Sequence, residues 1–159
     1  MAASSVQVDP GAQQSAPRLA FRDRAIALAV AGLCALVLLV AAAVPPSPDG
    51  MGTHRMLGLP ACSWPAAVGV PCPSCGMTTA FAHAARGNLP AALAAQPAGG
   101  VLALLTAMTF LVALHAAATG SRAVTLLQGV AGTRAAIAAA VLLLGAWGYK
   151  ILVFKGVLA

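Results

Sequence analysis

Charged residues are scarce in this chain, and acidic residues are the scarcest of them. Among 159 residues, three are Asp or Glu, nine are Lys or Arg, and 4% are aromatic. So little charge excludes a soluble domain with a polar surface. The net charge of +6 is accounted for by membrane topology, so we infer no nucleic-acid partner. With 60% apolar residues, the composition predicts an all-α membrane protein in contact with the lipid bilayer.

Three apolar stretches are each long enough to cross a membrane as a helix, because about 20 residues rising about 1.5 Å each cover a hydrocarbon core of about 30 Å. The predicted spans are residues 25–44, 98–118 and 135–154. Pro45 ends the first, while Pro97 and Gly120 flank the second. We therefore predict a compact three-helix bundle, with residues 25–159 forming a single membrane domain.

Two features of the spans predict how they are placed. Ala27, Ala31 and Ala35 form a stripe of small side chains at four-residue spacing, which favours close approach of another helix. Near the end of the third span, Trp147 and Lys150 belong to an aromatic and basic fringe. Such a fringe is typical of the headgroup boundary, so Lys150 is expected to extend outward.

The first residues and the loops predict the orientation. Residues 1–24 are expected to form a disordered cytoplasmic tail, because they begin with a polar, Pro-containing stretch without apolar periodicity. The basic residues of the tail and second loop are Arg18, Arg22, Arg24, Arg122 and Arg134. This slight excess favours a cytoplasmic N-terminus and an outward-facing first loop. A cleaved signal peptide is the alternative, although its apolar region is usually shorter, about 7 to 15 residues.

The loop at residues 45–97 contains a short amphipathic helix. One predicted face carries apolar side chains and the other carries Thr79, His83 and Arg86. The apolar residues are Met77, Ala80, Phe81, Ala84 and Ala85. From Gly76 to Arg86 the helix would be about 16 Å long, which is half of what spanning requires. It must therefore be interfacial, re-entrant or packed on the spans.

Three cysteines in this loop supply its chemistry: Cys62, Cys72 and Cys75. The last two form a Cys-Pro-x-Cys-Gly run, and two thiolates at this spacing can meet on one metal ion or on each other. Cys75 opens the short helix, whose N-terminus is expected to stabilise a thiolate and to lower the pKa of a nearby cysteine. Cys34 lies within the first span and is predicted to be a small buried apolar residue.

Three hypotheses for these thiols remain open. A structural disulfide can join two of them in an oxidising compartment. Alternatively, the three cysteines bind zinc, with His54 as the fourth ligand. In the third hypothesis Cys72 is an attacking thiolate, Cys75 a resolving thiol and Cys62 an accessory in thiol-disulfide exchange.

A longer pattern surrounds the cysteine pair. It consists of Cys62, the run GVPCPSCGMTTAF at residues 69–81, then Arg86-Gly87-Asn88 and Gln96-Pro97. This pattern resembles a bacterial family of small integral membrane proteins known as domain of unknown function 2752. The resemblance implies a multi-pass protein of the bacterial inner membrane whose cysteine loop is its characteristic feature, and it supplies no established activity.

Within the motif, the cysteines are supported by Pro73, Gly76, Thr78 and Thr79. The two threonines are expected to bond to the backbone near the helix start. We predict a non-enzymatic protein whose outward loop is a disulfide-bonded or metal-binding structural element, with zinc as the candidate cofactor. That element would dock another membrane or extracytoplasmic protein. The alternative is a membrane thiol-disulfide oxidoreductase using Cys72 and Cys75.

Overall fold

The computed structural model describes residues 19–121 and 132–157, where every regular element is helical. The long helices are α1 (Phe21–Ala43), α5 (Pro97–Thr119) and α6 (Thr133–Phe154). The loop between α1 and α5 contains a 3-10 helix (Thr53–Leu57), α2 (Trp64–Val68), α3 (Met77–Ala85) and α4 (Leu89–Ala95). The long helices are long and apolar enough to cross a membrane. The predicted all-α fold with three spans and a short loop helix is confirmed.

The helix ends follow the local sequence, with one difference at the start of the chain. α5 begins at Pro97 and stops before Gly120, which has a φ of 71°. α1 begins at Phe21 rather than at the expected Ala25, so the last residues of the predicted tail are helical. Residues 1–18 of that tail, and Arg122 of the second loop, lie outside the described residues.

Helices α1 and α5 pack against each other as an antiparallel pair. The backbone N–H of Leu19 donates to the carbonyl of Gly120 at 2.9 Å, which puts the start of α1 beside the end of α5. Ala27 and Ala31 of the predicted stripe are each 3% exposed, while Ala35 is half-buried. Small side chains therefore bring the two backbones together, as expected for helices that pack within a membrane.

An arginine caps the C-terminal end of each helix in this pair. Arg24 donates from Nη2 to the carbonyl of Ala117 at 2.8 Å, and Arg86 donates from Nη1 to the carbonyl of Val44 at 2.8 Å. The last carbonyls of a helix lack intrahelical partners and carry partial negative charge, so both contacts are favourable. The contact of Arg24 also explains why α1 extends past its uncharged stretch.

The short helix α3 packs on the spans instead of lying free at the surface. It contacts α1, α4 and α5, and a Cβ added to Gly99 of α5 would come within 2.9 Å of the Ala80 Cβ. The predicted faces were partly wrong, because Thr79 is fully buried. Helices surround α3 on several sides, so its buried surface is wider than one apolar stripe.

Helix α6 is held differently from the α1–α5 pair. Its contact with α5 is small, and its buried residues are Ala146 and Lys150. The expected compact three-helix bundle is therefore wrong in one respect, since α6 does not share the closely packed interface. Helix α6 instead contacts the loop between α1 and α5, through hydrogen bonds from polar side chains.

Candidate functional site: three converging thiols

The three loop cysteines come together although they lie on separate segments. Cys62 precedes α2, whereas Cys72 and Cys75 lie in the turn before α3. Their sulfur atoms all lie within 4.8 Å of one another. Cys62 is exposed, Cys72 is half-buried and Cys75 is buried. The folded loop thus forms a cluster that is open on one side and closed on the other.

A tight turn fixes the Cys72–Cys75 pair. The N–H of Cys75 donates to the carbonyl of Cys72 at 3.0 Å, and Gly76 then turns the chain with a φ of 92°. A Cβ at Gly76 would come within 2.8 Å of the Gly50 carbonyl oxygen and 2.9 Å of that of Ala95. Glycine is required here both for the left-handed backbone and for the close approach of two other segments.

Two side chains hold the backbone on either side of Cys72. Trp147 of α6 donates from Nε1 to the carbonyl of Pro71 at 2.8 Å. Gln96, fully buried just before α5, donates from Nε2 to the carbonyl of Pro73 at 2.9 Å. Irregular backbone near a membrane needs such partners, because few waters are available there. The cysteine turn is therefore held by residues that begin or lie within two spanning helices.

Lys150 makes a further contact with this region of the loop. The expectation that its side chain extends outward was wrong. Lys150 does not extend outward: it is 4% exposed and points inward beneath the turn. Its Nζ donates to the carbonyl of Ala95 at 2.8 Å and to that of Gly50 at 3.2 Å. The carbonyls of the irregular loop are stronger partners than distant headgroups, and they draw the ammonium inward.

The two thiols of the turn have unequal acidity. Their sulfurs are 2.9 Å apart. Burial raises the pKa of Cys75 to about 12, and its hydrogen bond with Cys72 adds to the effect. Burial also opposes ionisation of Cys72, but hydrogen bonds from Cys75, Ser74 and Cys62 outweigh it, so the pKa of Cys72 lies below its ordinary value. The lowered pKa expected for a cysteine near the helix start is thus found at Cys72 and not at Cys75, and Cys72 is the more acidic thiol.

The structure brings together some of the predicted site residues and separates others. All four cysteines are free, so the disulfide hypothesis finds no bond here. His54 lines the same cleft as the cysteines but is not in the cluster of ligand atoms. Thr79 bonds through Oγ1 to Oγ1 of Thr53 at 2.8 Å, and not to the backbone as expected.

Three donors around the turn were not predicted from the sequence: Gln96, Trp147 and Lys150. Each was assigned to a motif or to the membrane boundary. A lysine inside an apolar span, close to a proline-rich loop with unpaired carbonyls, was the available signal.

The cysteines face an open cleft of about 770 Å³. Its wall includes the charged residues Asp49 and Arg55 as well as His54 and Trp64. Next to it lies an apolar groove of about 430 Å³ between α1 and α3, and Met77 and Thr78 border both spaces. A polar group of moderate size can therefore reach the sulfurs from outside.

Comparison with known families assigns the cysteine segment. Residues 62–110 match the family model described as protein of unknown function (DUF2752). The DUF2752 segment contains all three clustered cysteines, Gln96 and the first half of α5, so the predicted resemblance is confirmed over these residues. His54, Trp147 and Lys150 lie outside it. The comparisons with curated proteins and with solved structures gave no match.

Proposed function

We propose that this multi-pass membrane protein binds one zinc ion through Cys62, Cys72 and Cys75, and that the metal-held loop docks a partner. The convergence of three sulfurs within 4.8 Å carries the proposal. A zinc–sulfur bond of about 2.3 Å in a tetrahedral site corresponds to sulfurs about 3.8 Å apart. Cys72 and Cys75, now 2.9 Å apart, need to separate by about 0.9 Å to fit this geometry.

The fourth position of such a site would face the cleft. Zinc sites closed by four protein ligands are structural, whereas three protein ligands leave a position for water or for a group from another molecule. His54 lines the cleft and is the residue of this chain that a loop movement would bring to the metal. Without that movement, a ligand from a docking protein can occupy the open position, which would make the loop an interaction element.

The proposal places the cluster on the extracytoplasmic face of a bacterial inner membrane, with a cytoplasmic N-terminus and a single membrane domain at residues 25–159. The bias of arginines toward the start of α1 and the second loop supports it. A membrane-impermeant thiol reagent applied to intact cells tests the orientation. Used together with a metal chelator that frees the thiols, it should label Cys62; labelling only after the cells are opened would reverse the orientation.

The metal is tested by purifying the full chain in lipid nanodiscs with zinc and measuring the bound metal. Wild type should retain about one zinc per chain, and Cys62→Ser, Cys72→Ser and Cys75→Ser should each lose most of it, because two thiolates and a water bind zinc weakly. Cys34→Ser is the matched control, since Cys34 lies outside the cluster, and it should retain zinc.

Cobalt replacement gives an independent measurement. Cobalt bound by thiolates in a tetrahedral site has intense charge-transfer absorption, which should fall stepwise as each clustered cysteine is removed. Wild-type protein without bound metal, or equal loss in the Cys34→Ser control, would refute the zinc proposal.

Thiol-disulfide exchange is the second candidate, and the unequal acidity of the pair favours it. The Cys72 thiolate attacks a partner disulfide, forming a mixed disulfide and releasing one partner thiolate. Cys75 then loses its proton and attacks the Cys72 sulfur, releasing the second partner thiolate. The partner disulfide is thereby reduced to two thiols, and Cys72 and Cys75 are oxidised to a disulfide.

Alkylation rates at increasing pH test this candidate. A lowered pKa means a larger thiolate fraction at neutral pH, so Cys72 should react with iodoacetamide at pH values below the ordinary thiol pKa of about 8.5. Cys75, with its pKa raised to about 12, should stay unreacted up to pH 9. Cys75→Ser should also trap a mixed disulfide on Cys72, and the absence of such a product in cells would argue against exchange.

A further inference from the structure

Lys150 is a buried charge whose known partners are neutral. It lies in the third spanning helix, is 4% exposed, and donates to the carbonyls of Ala95 and Gly50. Carbonyl dipoles satisfy its N–H groups, but within residues 19–121 and 132–157 no carboxylate forms an ion pair with it. Transfer of an unpaired charge into a protein interior within a membrane is costly. Such a residue calls for an anion nearby.

The cysteine cluster is a candidate for that anion. The Lys150 Nζ lies 3.4 Å from the point where a Cβ of Gly76 would be, and Gly76 directly follows Cys75. The lysine therefore lies beside the buried residue that follows Cys75.

The charge of a zinc complex at this cluster matches the lysine. Three thiolates carry three negative charges and zinc carries two positive charges, so the bound site has a net charge of minus one. One buried ammonium brings the total to zero.

We propose that Lys150 is the counter-charge of the zinc–tri-thiolate site, an inference that rests on the proposed function. Lys150 does not contact the metal. It lowers the free energy of the metal-bound, negatively charged cluster and so raises the affinity for zinc. Arg55 is also a cation close to the site, but it lies on the exposed wall of the cleft, where water screens its charge.

The test measures zinc affinity of the full chain in nanodiscs by competition with a chelator. Lys150→Met and Lys150→Gln should weaken zinc binding by at least about tenfold, the usual effect of losing an outer partner of a metal site. Glutamine retains N–H donors without charge, so it separates charge from hydrogen bonding. Lys150→Arg retains the charge and should recover affinity to within about fivefold of wild type.

Two controls separate charge from position. Arg55→Met removes a screened cation and should change the affinity by less than about fivefold. Trp147→Phe removes another bond between α6 and the loop without changing charge, and its effect should also stay below that of Lys150→Met. Cysteine accessibility to alkylation without zinc, measured for every variant, reports whether the loop is still folded.

Each outcome decides the inference. Wild-type affinity in Lys150→Gln, or affinity in Lys150→Arg as weak as in Lys150→Met, would overturn it because charge would then not be the cause. A loss in Trp147→Phe equal to that in Lys150→Met would overturn it as well, since anchoring alone would explain both. Wild-type protein that binds no zinc would instead remove the proposed function itself.

Discussion

Helices α5 and α6 have nearly the same length, 23 and 22 residues, but different interactions hold them. α5 buries small residues along its length, from Ala98 and Gly99 to Ala117, and packs closely on α1 and α3. α6 buries only Ala146 and Lys150 among its residues and is attached to the loop by polar side chains. Within a membrane, apolar side chains gain little by leaving lipid, so close packing and hydrogen bonds are the two available means of attachment.

The comparison shows that different helices form the rigid frame and supply hydrogen bonds to the loop. The α1–α5 pair, closed at its ends by Arg24 and Arg86, provides a fixed frame. α6 contributes donors to the loop between α1 and α5, at the carbonyls of Pro71, Ala95 and Gly50. Packing substitutions should therefore affect α5 far more than α6, and substitutions of polar side chains should affect α6 most.

The largest loss of stability is expected for a substitution where the turn, α4 and α6 meet. Gly76→Ala adds a Cβ at a φ of 92° and within 2.9 Å of two carbonyl oxygens. It should lower the free energy of unfolding by about 2 to 5 kcal/mol, from left-handed strain and overpacking together. Reversible unfolding in mixed micelles measures this. Gly87→Ala, which has a positive φ but open space, isolates the strain, and an equal effect there would refute the steric part.

The next-largest loss of stability is expected for a substitution in α5. Gly99→Ala should destabilise by about 1 to 3 kcal/mol, because its Cβ would lie 2.9 Å from the Ala80 Cβ and 3.2 Å from the Met77 Cα. Neither atom can move without its backbone. Gly100→Ala on the same helix meets the flexible end of Leu93 first and should cost less in the same unfolding assay. Indistinguishable variants would mean that α5 and α3 are not closely packed.

A smaller effect tests the polar attachment of α6. Trp147→Phe leaves the Pro71 carbonyl without its donor and should destabilise by about 1 to 2 kcal/mol. Cysteine alkylation should become faster in the same variant, because the segment before Cys72 is no longer held. Trp64→Phe is the matched control, since Trp64 is an exposed residue of the cleft wall. Equal alkylation rates in both variants would count against the attachment.

The smallest change in stability is expected for a glycine substitution in α6, which can be compared with Gly99→Ala in α5. Gly145 lies within α6, and a Cβ there meets nothing within 4 Å. Gly145→Ala should leave stability unchanged or raise it by up to about 1 kcal/mol, because alanine favours a helix. Destabilisation close to that of Gly99→Ala would show that α6 is packed against another surface, such as a second copy of the chain.

The sequence predicts those parts of the fold that depend on local patterns. Pro45, Pro97 and Gly120 mark helix ends because their backbone restrictions act within a turn. The spans follow from apolar length, and the stripe containing Ala27 and Ala31 identifies the face of α1 that packs. The three cysteines could be grouped by their loop, although not their geometry or their unequal acidity.

What the sequence does not predict depends on which distant segments meet. Thr79 looked polar and exposed by periodicity, but it is buried because Thr53 supplies a hydroxyl partner across the loop. Lys150 was expected among the lipid headgroups because it lies near the end of an apolar span. The sequence pattern gives this distance from the membrane boundary, but it does not show that loop carbonyls lie closer to the ammonium. In both cases the deciding partner is separated widely in sequence, Lys150 from Gly50 by 100 residues.

This separation has a consequence for biosynthesis. The cysteine turn is synthesised before the side chains that fasten it, with Trp147 76 residues after its acceptor Pro71. Until the last helix is inserted, the carbonyls of Pro71 and Gly50 lack these donors. The sulfur cluster therefore reaches its final form only after the whole chain is translated and α6 has been inserted in the right orientation. A completed cluster thus indicates that membrane insertion is finished.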